Sequence, residues 1–168
     1  MGRSKGITLS PKICSQSAKP TGFGKSGRSL GEYVLDAFAV LALVQAGPGG
    51  PRVREILADA DNTCHLSILN LGEVLYAIHR RRGIAAAQQT EAGVVQEPSV
   101  LLAGVDLPRV RAAAAIKARG RMSYADAFAA ALAMELDAPL VTGDPEFARL
   151  EQAGEIRVEW LARGGSSA

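Results

Sequence analysis

The 168-residue chain has few of the residues on which several familiar kinds of site depend. Its two cysteines, Cys14 and Cys64, are too few for a disulfide framework, so we expect a reducing compartment, the cytoplasm. Its two histidines, His65 and His79, show no zinc-type spacing, and we interpret both as structural. Neither G-x-G-x-x-G after a strand nor G-x-S-x-G is present. No apolar run approaches the roughly 20 residues that a membrane span needs, so no membrane contact is expected.

Length and composition predict one globular domain preceded by a basic extension. The content of 48% hydrophobic and 21% charged residues is typical of a globular protein. Residues 1–30 hold six of the 19 Lys and Arg residues and none of the 17 acids, so the net charge of +2 combines a segment of +6 with a body of −4. Thirteen of these 30 residues are Gly, Pro or Ser, which predicts disorder. We therefore predict an extension over 1–30, interpreted as a leader rather than a nucleic-acid-binding arm, and a domain over 31–168.

Apolar periodicity in the body predicts strands that alternate with helices. The predicted strands are 33–35, 65–67, 99–105, 139–142 and 156–160. The predicted helices are 37–45, 51–60, 70–82, 84–95, 107–119, 123–137 and 145–152. Such alternation indicates a parallel sheet that is covered by helices on both faces.

Two acids follow predicted strands directly. Asp36 ends the first strand, and Asp144 lies just past the fourth. In open parallel sheets, ligands bind outside the carboxyl ends of the strands, so both acids are predicted at the functional edge. Each acid also has a structural interpretation, because Asp36 and Asp144 stand where a helix N-cap would stand.

Two further acids lie on predicted helices. Asp126 heads a helix that is apolar on nearly every side, where a carboxylate is poorly placed unless it is paired, capped or bound to a metal. A capping box formed with Ser123 is the alternative. Glu73 lies opposite the apolar stripe of its helix, so it is either solvated or lines a groove together with Asn70, one turn earlier.

Four such acids in one site would favour a hard divalent cation. Carboxylate oxygens suit Mg²⁺ or Mn²⁺, and like charges converge cheaply only when a cation neutralises them. Such ions activate a water molecule and stabilise a displacement at phosphorus. Ser67 and Thr142 end predicted strands and are candidates for secondary contacts at the same site.

Four segments taken in order resemble a known family. They are Tyr-Val-Leu-Asp36, Glu73 in a helix after a serine-ending strand, Ser-Tyr-Ala-Asp126-Ala-Phe, and Thr142-Gly-Asp144-Pro-Glu-Phe. Together they are similar to the PIN domain, and most similar to VapC-type toxins of bacterial toxin–antitoxin pairs, over roughly residues 31–163. One departure is Ala37-Phe38, where family members often carry a small polar residue after the first Asp.

The resemblance implies a three-layer α/β/α sandwich with a central, mostly parallel sheet and an Mg²⁺- or Mn²⁺-dependent endoribonuclease. It implies that Asp36, Glu73, Asp126 and Asp144 are the catalytic and metal-binding acids, with Thr142 close by. It also implies a homodimer that is silenced by a cognate antitoxin protein.

An acidic body needs basic residues to hold an RNA backbone. The candidates for this contact are Arg80, Arg81, Lys117, Arg119 and Arg121, although Arg80 and Arg81 also suit the C-terminal end of their helix. Two other functions stay open, namely a non-catalytic PIN-like interaction module and a metal phosphohydrolase with a small substrate.

Overall fold

The computed structural model describes residues 31–163. The predicted disorder of residues 1–30 lies outside the described residues, as do residues 164–168. Within the described range the strands are β1 (Gly31–Leu35), β2 (Asn62–Ser67), β3 (Val100–Ala103), β4 (Leu140–Thr142) and β5 (Val158–Trp160). The helices in that range are α1 (Ala37–Val44), α2 (Gly50–Ala58), α3 (Ile68–Arg82), α4 (Ile84–Gln96), α5 (Leu107–Ala118), α6 (Tyr124–Leu136) and α7 (Ala148–Gln152).

The strands form one parallel sheet in the order β3-β2-β1-β4-β5. The chain moves outward from β1 to β3 and then returns to β4 on the other side of β1. This reversal creates a switch point between β1 and β4, and ligands of open parallel sheets bind at such points, outside the carboxyl ends of the strands.

Two apolar cores cover the two faces of the sheet. Neighbouring strand residues point to opposite faces. Val34 and Leu140 belong to a core with α5, α6 and α7, whereas Leu35 and Val141 belong to a core with α1, α2, α3 and α4. The predicted three-layer α/β/α sandwich is therefore confirmed.

Helix α6 packs closely on the sheet because its buried side chains are mostly alanine. Ala127, Ala129 and Ala130 are fully buried. The helix begins after Ser123, whose hydroxyl oxygen accepts the backbone N–H of Asp126 at 3.0 Å. The cap and the small residues together fix Asp126 in the first turn, beside the ends of the strands.

The predicted elements are all present, with shifted ends. Helix α3 begins at Ile68 instead of residue 70, because the Ser67 hydroxyl caps it by accepting the N–H of Leu69. Strand β3 is shorter than predicted. The predicted helix 145–152 is a 3₁₀ turn, Pro145–Phe147, followed by α7. Gly83 has φ +87°, a conformation that glycine adopts readily. It ends α3 directly after the arginines at 80–82, as the sequence predicted.

Candidate active site

Buried polar side chains gather at the carboxyl edge of the sheet. Among residues 31–163, the buried polar residues are Asp36, Ser67, Asn70 and Thr142. Asp36 follows β1, Ser67 ends β2, Thr142 ends β4, and Asn70 lies in the first turn of α3. Burial of polar groups is costly unless they are paired, so their concentration at one edge marks a candidate site.

A chain of hydrogen bonds connects the ends of β1 and β4. The Thr142 hydroxyl donates to Asp36 Oδ2 at 2.5 Å, and Thr142 Oγ1 accepts the backbone N–H of Asp144 at 2.9 Å. Asp36 Oδ1 accepts the N–H of Ala39 at 2.8 Å, and Asp144 Oδ1 accepts the N–H of Glu146 at 2.9 Å. Both acids therefore cap the elements that follow them, and Thr142 holds them beside each other.

Burial raises the pKa of the Asp36 carboxyl to about 7. The hydrogen bonds from Thr142 and Ala39 lower this pKa, while the negative charges of Asp126 and Asp144 raise it. Desolvation is the largest of these effects, because a buried carboxylate loses its hydration. The repulsion from Asp126 and Asp144 shows that three of the four predicted acids lie within electrostatic range of one another.

Glu73 and Asp126 also have raised pKa values. Burial is the main cause for both, and the charge of Asp144 adds to it. Asp126 further raises the pKa of Glu73, while Ser123 and Lys117 lower that of Asp126. Glu73 is half-buried and not fully solvated, so the structure favours the predicted groove over an ordinary solvated glutamate.

The four acids suit a hard divalent cation in their chemistry. Each offers carboxylate oxygens at one edge of the sheet, and a cation would relieve the repulsion that adds to the effect of burial on the pKa values of Asp36, Glu73 and Asp126. In the described part of the chain, however, no group of three or more His, Cys, Asp and Glu side chains stands in an arrangement that could hold a metal ion. Asp36 and Asp144 each direct a carboxylate oxygen to a backbone N–H.

Asn70 is fully buried, and neither polar atom of its side-chain amide has a hydrogen-bond partner within the described residues. Leaving a buried polar group unpaired costs about 1–3 kcal/mol. The residue lies one helical turn before Glu73, on a helix that packs against α6. Its amide is therefore available for a bound water molecule or a ligand at this edge.

The basic residues predicted on α3 contact neighbouring polar groups. Arg80 Nη1 donates to the hydroxyl of Tyr76 at 3.2 Å, and Arg81 Nη1 donates to Gln45 Oε1 at 3.4 Å. Both arginines are exposed in the last turn of the helix, where cations are favoured.

The basic residues around the end of α5 differ in their partners. Lys117 Nζ donates to the backbone carbonyl of Met122, and its charge acts on Asp126. Arg119 forms a two-pronged ion pair with Glu155, with N···O distances of 3.0 and 2.7 Å. Arg121 is exposed and has no hydrogen-bond or ion-pair partner among residues 31–163.

Two contacts near this edge were not predicted from the sequence. The ring of Phe38 packs so closely on Gly143 that a Cβ at Gly143 would lie 2.4 Å from a ring carbon. The unusual Ala37-Phe38 pair was a signal for it. Arg149 lies against Gly120. No local sequence pattern predicts this contact, because the two residues are far apart in the chain.

Comparison with known families identifies the domain. The sequence model described as the PIN domain matches residues 33–153, which is most of the chain. The chain belongs to the PIN domain family. This is a family of nucleases, and the resemblance inferred from the four acidic segments is thereby confirmed.

Solved structures share this PIN fold at low sequence identity. VapC20 of Mycobacterium tuberculosis, described as a sarcin-ricin loop cleaving toxin, is 20% identical with a TM-score of 0.60, over 70% of this chain and 93% of its own. VapBC2 of Rickettsia felis, bound to a promoter DNA fragment, is 14% identical with a TM-score of 0.61, over 78% and 99% of the two chains. DNA-bound VapBC of Salmonella typhimurium is 19% identical with a TM-score of 0.59, over 77% and 97%. A search of curated proteins found no match.

The structure also bears on the membrane prediction. In residues 31–163, every helix falls short of the length and apolar character that crossing a bilayer requires.

Proposed function

We propose that this PIN domain is an Mg²⁺- or Mn²⁺-dependent endoribonuclease and the toxin of a toxin–antitoxin pair. The observation that carries the proposal is the electrostatic coupling of Asp36, Glu73, Asp126 and Asp144 at the carboxyl edge of the sheet. The proposed setting is the cytoplasm, where cellular RNA is available to such an enzyme.

The four acids share one proposed role, and Thr142 supports it. Asp36, Glu73, Asp126 and Asp144 would hold the divalent ion, which when bound supplies an activated water molecule and charge stabilisation at phosphorus. Thr142 orients Asp36 through its hydroxyl and links it to the backbone of Asp144. Ligands oriented by such hydrogen bonds are more effective, and loss of the orienting partner typically costs 10- to 100-fold in affinity or activity.

Secondary positions complete the proposed site. Asn70 offers an unpaired amide at the same edge, and Ser67 fixes the start of the helix that carries Glu73. Lys117 adds a positive charge near Asp126, which suits the approach of an anionic backbone. Arg121 is free of protein partners in the described range and is the basic candidate best able to contact phosphate.

Cleavage of RNA with and without divalent ions tests the enzymatic proposal. An unstructured RNA is incubated with the parent protein in Mg²⁺, in Mn²⁺ and in a chelator. We expect cleavage only with the metals. The Asp126→Asn variant should lose at least about 100-fold in cleavage rate, because it loses a negatively charged metal ligand. The control is Glu91→Gln, which removes an exposed acid from α4, and which should cleave like the parent.

The outcome against the proposal is equal cleavage by the parent, Asp126→Asn and Glu91→Gln, or cleavage that persists in the chelator. The non-catalytic alternative is favoured by Phe38 in place of a small polar residue and by the absence of a preformed group of three donors among the described residues. Calorimetric titration with Mn²⁺ separates the two, because a non-catalytic module would bind no divalent ion at the four acids.

A cognate antitoxin is the proposed partner. Several similar structures are described as toxin–antitoxin complexes, including one from Klebsiella pneumoniae that is 14% identical with a TM-score of 0.59, over 79% of this chain and 99% of that one. An apolar cavity of about 660 Å³ lies between α1, α2, α4 and the sheet, and Arg82 and Glu97 are among its lining residues. We expect an amphipathic antitoxin segment to cover it. Co-expression with the adjacent reading frame, followed by hydrogen exchange, tests whether α1, α2 and α4 become protected.

A homodimer is also proposed. Strand β3 is an edge strand, and apolar side chains on it and just after it are exposed, as an interface between copies would require. These side chains are Leu101, Leu102, Val105 and Leu107. Light scattering should give twice the chain mass for the parent and the monomer mass for Leu101→Lys, and the same mass for both proteins would count against this surface.

A further inference from the structure

A second cavity, of about 380 Å³, opens between the end of α5 and the start of α7. It has an apolar floor of three buried residues and a rim that carries two arginines, one glutamate and one glycine. The floor is formed by Ile116, Met122 and Leu150, and the rim by Gly120, Arg121, Glu146 and Arg149.

Both walls of this cavity are connected to acids of the candidate site, one wall to Asp126 and the other to Asp144. Met122 directly precedes Ser123, the N-cap of α6, and Asp126 follows in the first turn of that helix. On the other wall, the backbone N–H of Glu146 donates to Asp144 Oδ1 at 2.9 Å. A ligand in the cavity would therefore contact the two chain segments that carry Asp126 and Asp144.

The charged side chains on the rim form no polar contact that holds the described residues together. Arg121, Glu146 and Arg149 have no side-chain hydrogen bond or ion pair within the described residues. By contrast, Arg119, two residues before Arg121, is paired with Glu155. The rim thus presents two guanidinium donors and one carboxylate acceptor to the cavity.

The position of Arg149 depends on a missing side chain. Its guanidinium lies against Gly120, where a Cβ would stand only 2.9 Å from a terminal nitrogen. Because glycine has no Cβ, the guanidinium lies close to the backbone of the loop before α6. This contact directs a planar, charged group to the rim of the cavity.

We propose that this cavity binds one unpaired nucleobase of the RNA substrate, next to the phosphate held at the acids, with guanine preferred. The inference rests on the proposed ribonuclease function. Apolar floors and guanidinium planes stack on the flat faces of unpaired bases. A guanidinium donates two hydrogen bonds to the O6 and N7 atoms of guanine, and a carboxylate accepts from its N–H groups. No other base offers two adjacent acceptors on one edge together with two donors on the other.

Binding of short RNA tests the inference separately from cleavage. The probes are four fluorescent single-stranded hexauridylates in which one central base is G, A, C or U, measured by anisotropy in Mn²⁺. The protein is the Asp126→Asn variant of the full chain, so that the strands stay intact. We expect about tenfold tighter binding of the G strand. Adding Arg149→Met should bring all four affinities to within about twofold.

Two matched variants separate base recognition from charge. Arg54→Met removes one exposed positive charge from α2, on the opposite face of the sheet, so it should weaken all four strands equally and keep the guanine preference. Gly120→Ala keeps every charge but displaces the guanidinium of Arg149, so it should reduce the preference with little loss of overall affinity.

Three results would overturn the inference. They are no binding to any strand, equal binding of all four, and a guanine preference that survives Arg149→Met. Cleavage of RNA by the parent in the presence of any of these results would leave the ribonuclease proposal standing. Failure of the parent to cleave RNA would overturn that proposal without deciding the binding result.

Discussion

The carboxyl edge of the sheet and the two apolar cores beside it are built in opposite ways. In both cores the buried side chains are apolar, and along α6 they are closely packed. At the edge, Asp36, Ser67, Asn70 and Thr142 are buried, and one of them, Asn70, has no partner among the described residues. Burial therefore stabilises the fold in the cores and costs free energy at the edge. Local violations of this kind are expected at functional sites, where stability is given up for binding.

The largest effect is expected from Asp36→Asn. A carboxyl whose folded pKa is raised from 3.8 to about 7 stabilises the fold only while it is protonated. That contribution is complete below pH 3.8 and is lost as the pH rises through 7. In a chelator, the parent should lose on the order of 4 kcal/mol more than the variant between pH 4 and pH 8. The variant should also lose cleavage, so stability and activity move in opposite directions.

Urea unfolding across this pH range measures the difference, with Glu91→Gln as the matched control that keeps the pH dependence of the parent. If Asp36→Asn and the parent show parallel pH profiles, burial of this carboxyl is not costly, and the contrast between edge and core fails.

A smaller effect is expected from a change in the core. Ala130→Leu adds three carbon atoms to a fully buried position of α6, so overpacking should destabilise the fold by about 1–3 kcal/mol at every pH. Ala115→Leu, at an exposed position of α5, is the control and should change stability little. Urea unfolding at pH 5 and pH 8 tests both, and a destabilisation by Ala130→Leu that appears at only one pH would contradict the assignment of a pH-independent core.

The smallest effect is expected from Asn70→Leu. Removing an unpaired buried amide should leave the fold equally stable or stabilise it by about 1 kcal/mol in a chelator, while cleavage falls. If Asn70→Leu instead destabilises the fold by more than about 1 kcal/mol, the amide has a partner in the folded protein. Asn70→Ala, which leaves a cavity, distinguishes lost packing from lost polarity.

Much of the fold and the position of two acids follow from local pattern. Apolar periodicity and turn residues predicted the strands and helices of residues 31–163. Parallel strands then placed Asp36 and Asp144 at the same edge of the predicted sheet. Glu73 was ambiguous, because helical period alone does not show what packs against its polar side. The contact of Arg149 with Gly120 and the strand order were beyond reach, since both depend on packing between distant segments.

The central claim is that the buried polar edge holds a divalent cation, and Mn²⁺-dependent unfolding tests it most directly. Urea unfolding of the parent and of Asp36→Asn at pH 8 is compared with and without Mn²⁺. We expect the parent to gain about 2.7 kcal/mol when Mn²⁺ is present at 100 times its Kd, and the variant to gain much less. Equal gains in the two proteins, or no gain in the parent, would contradict the claim.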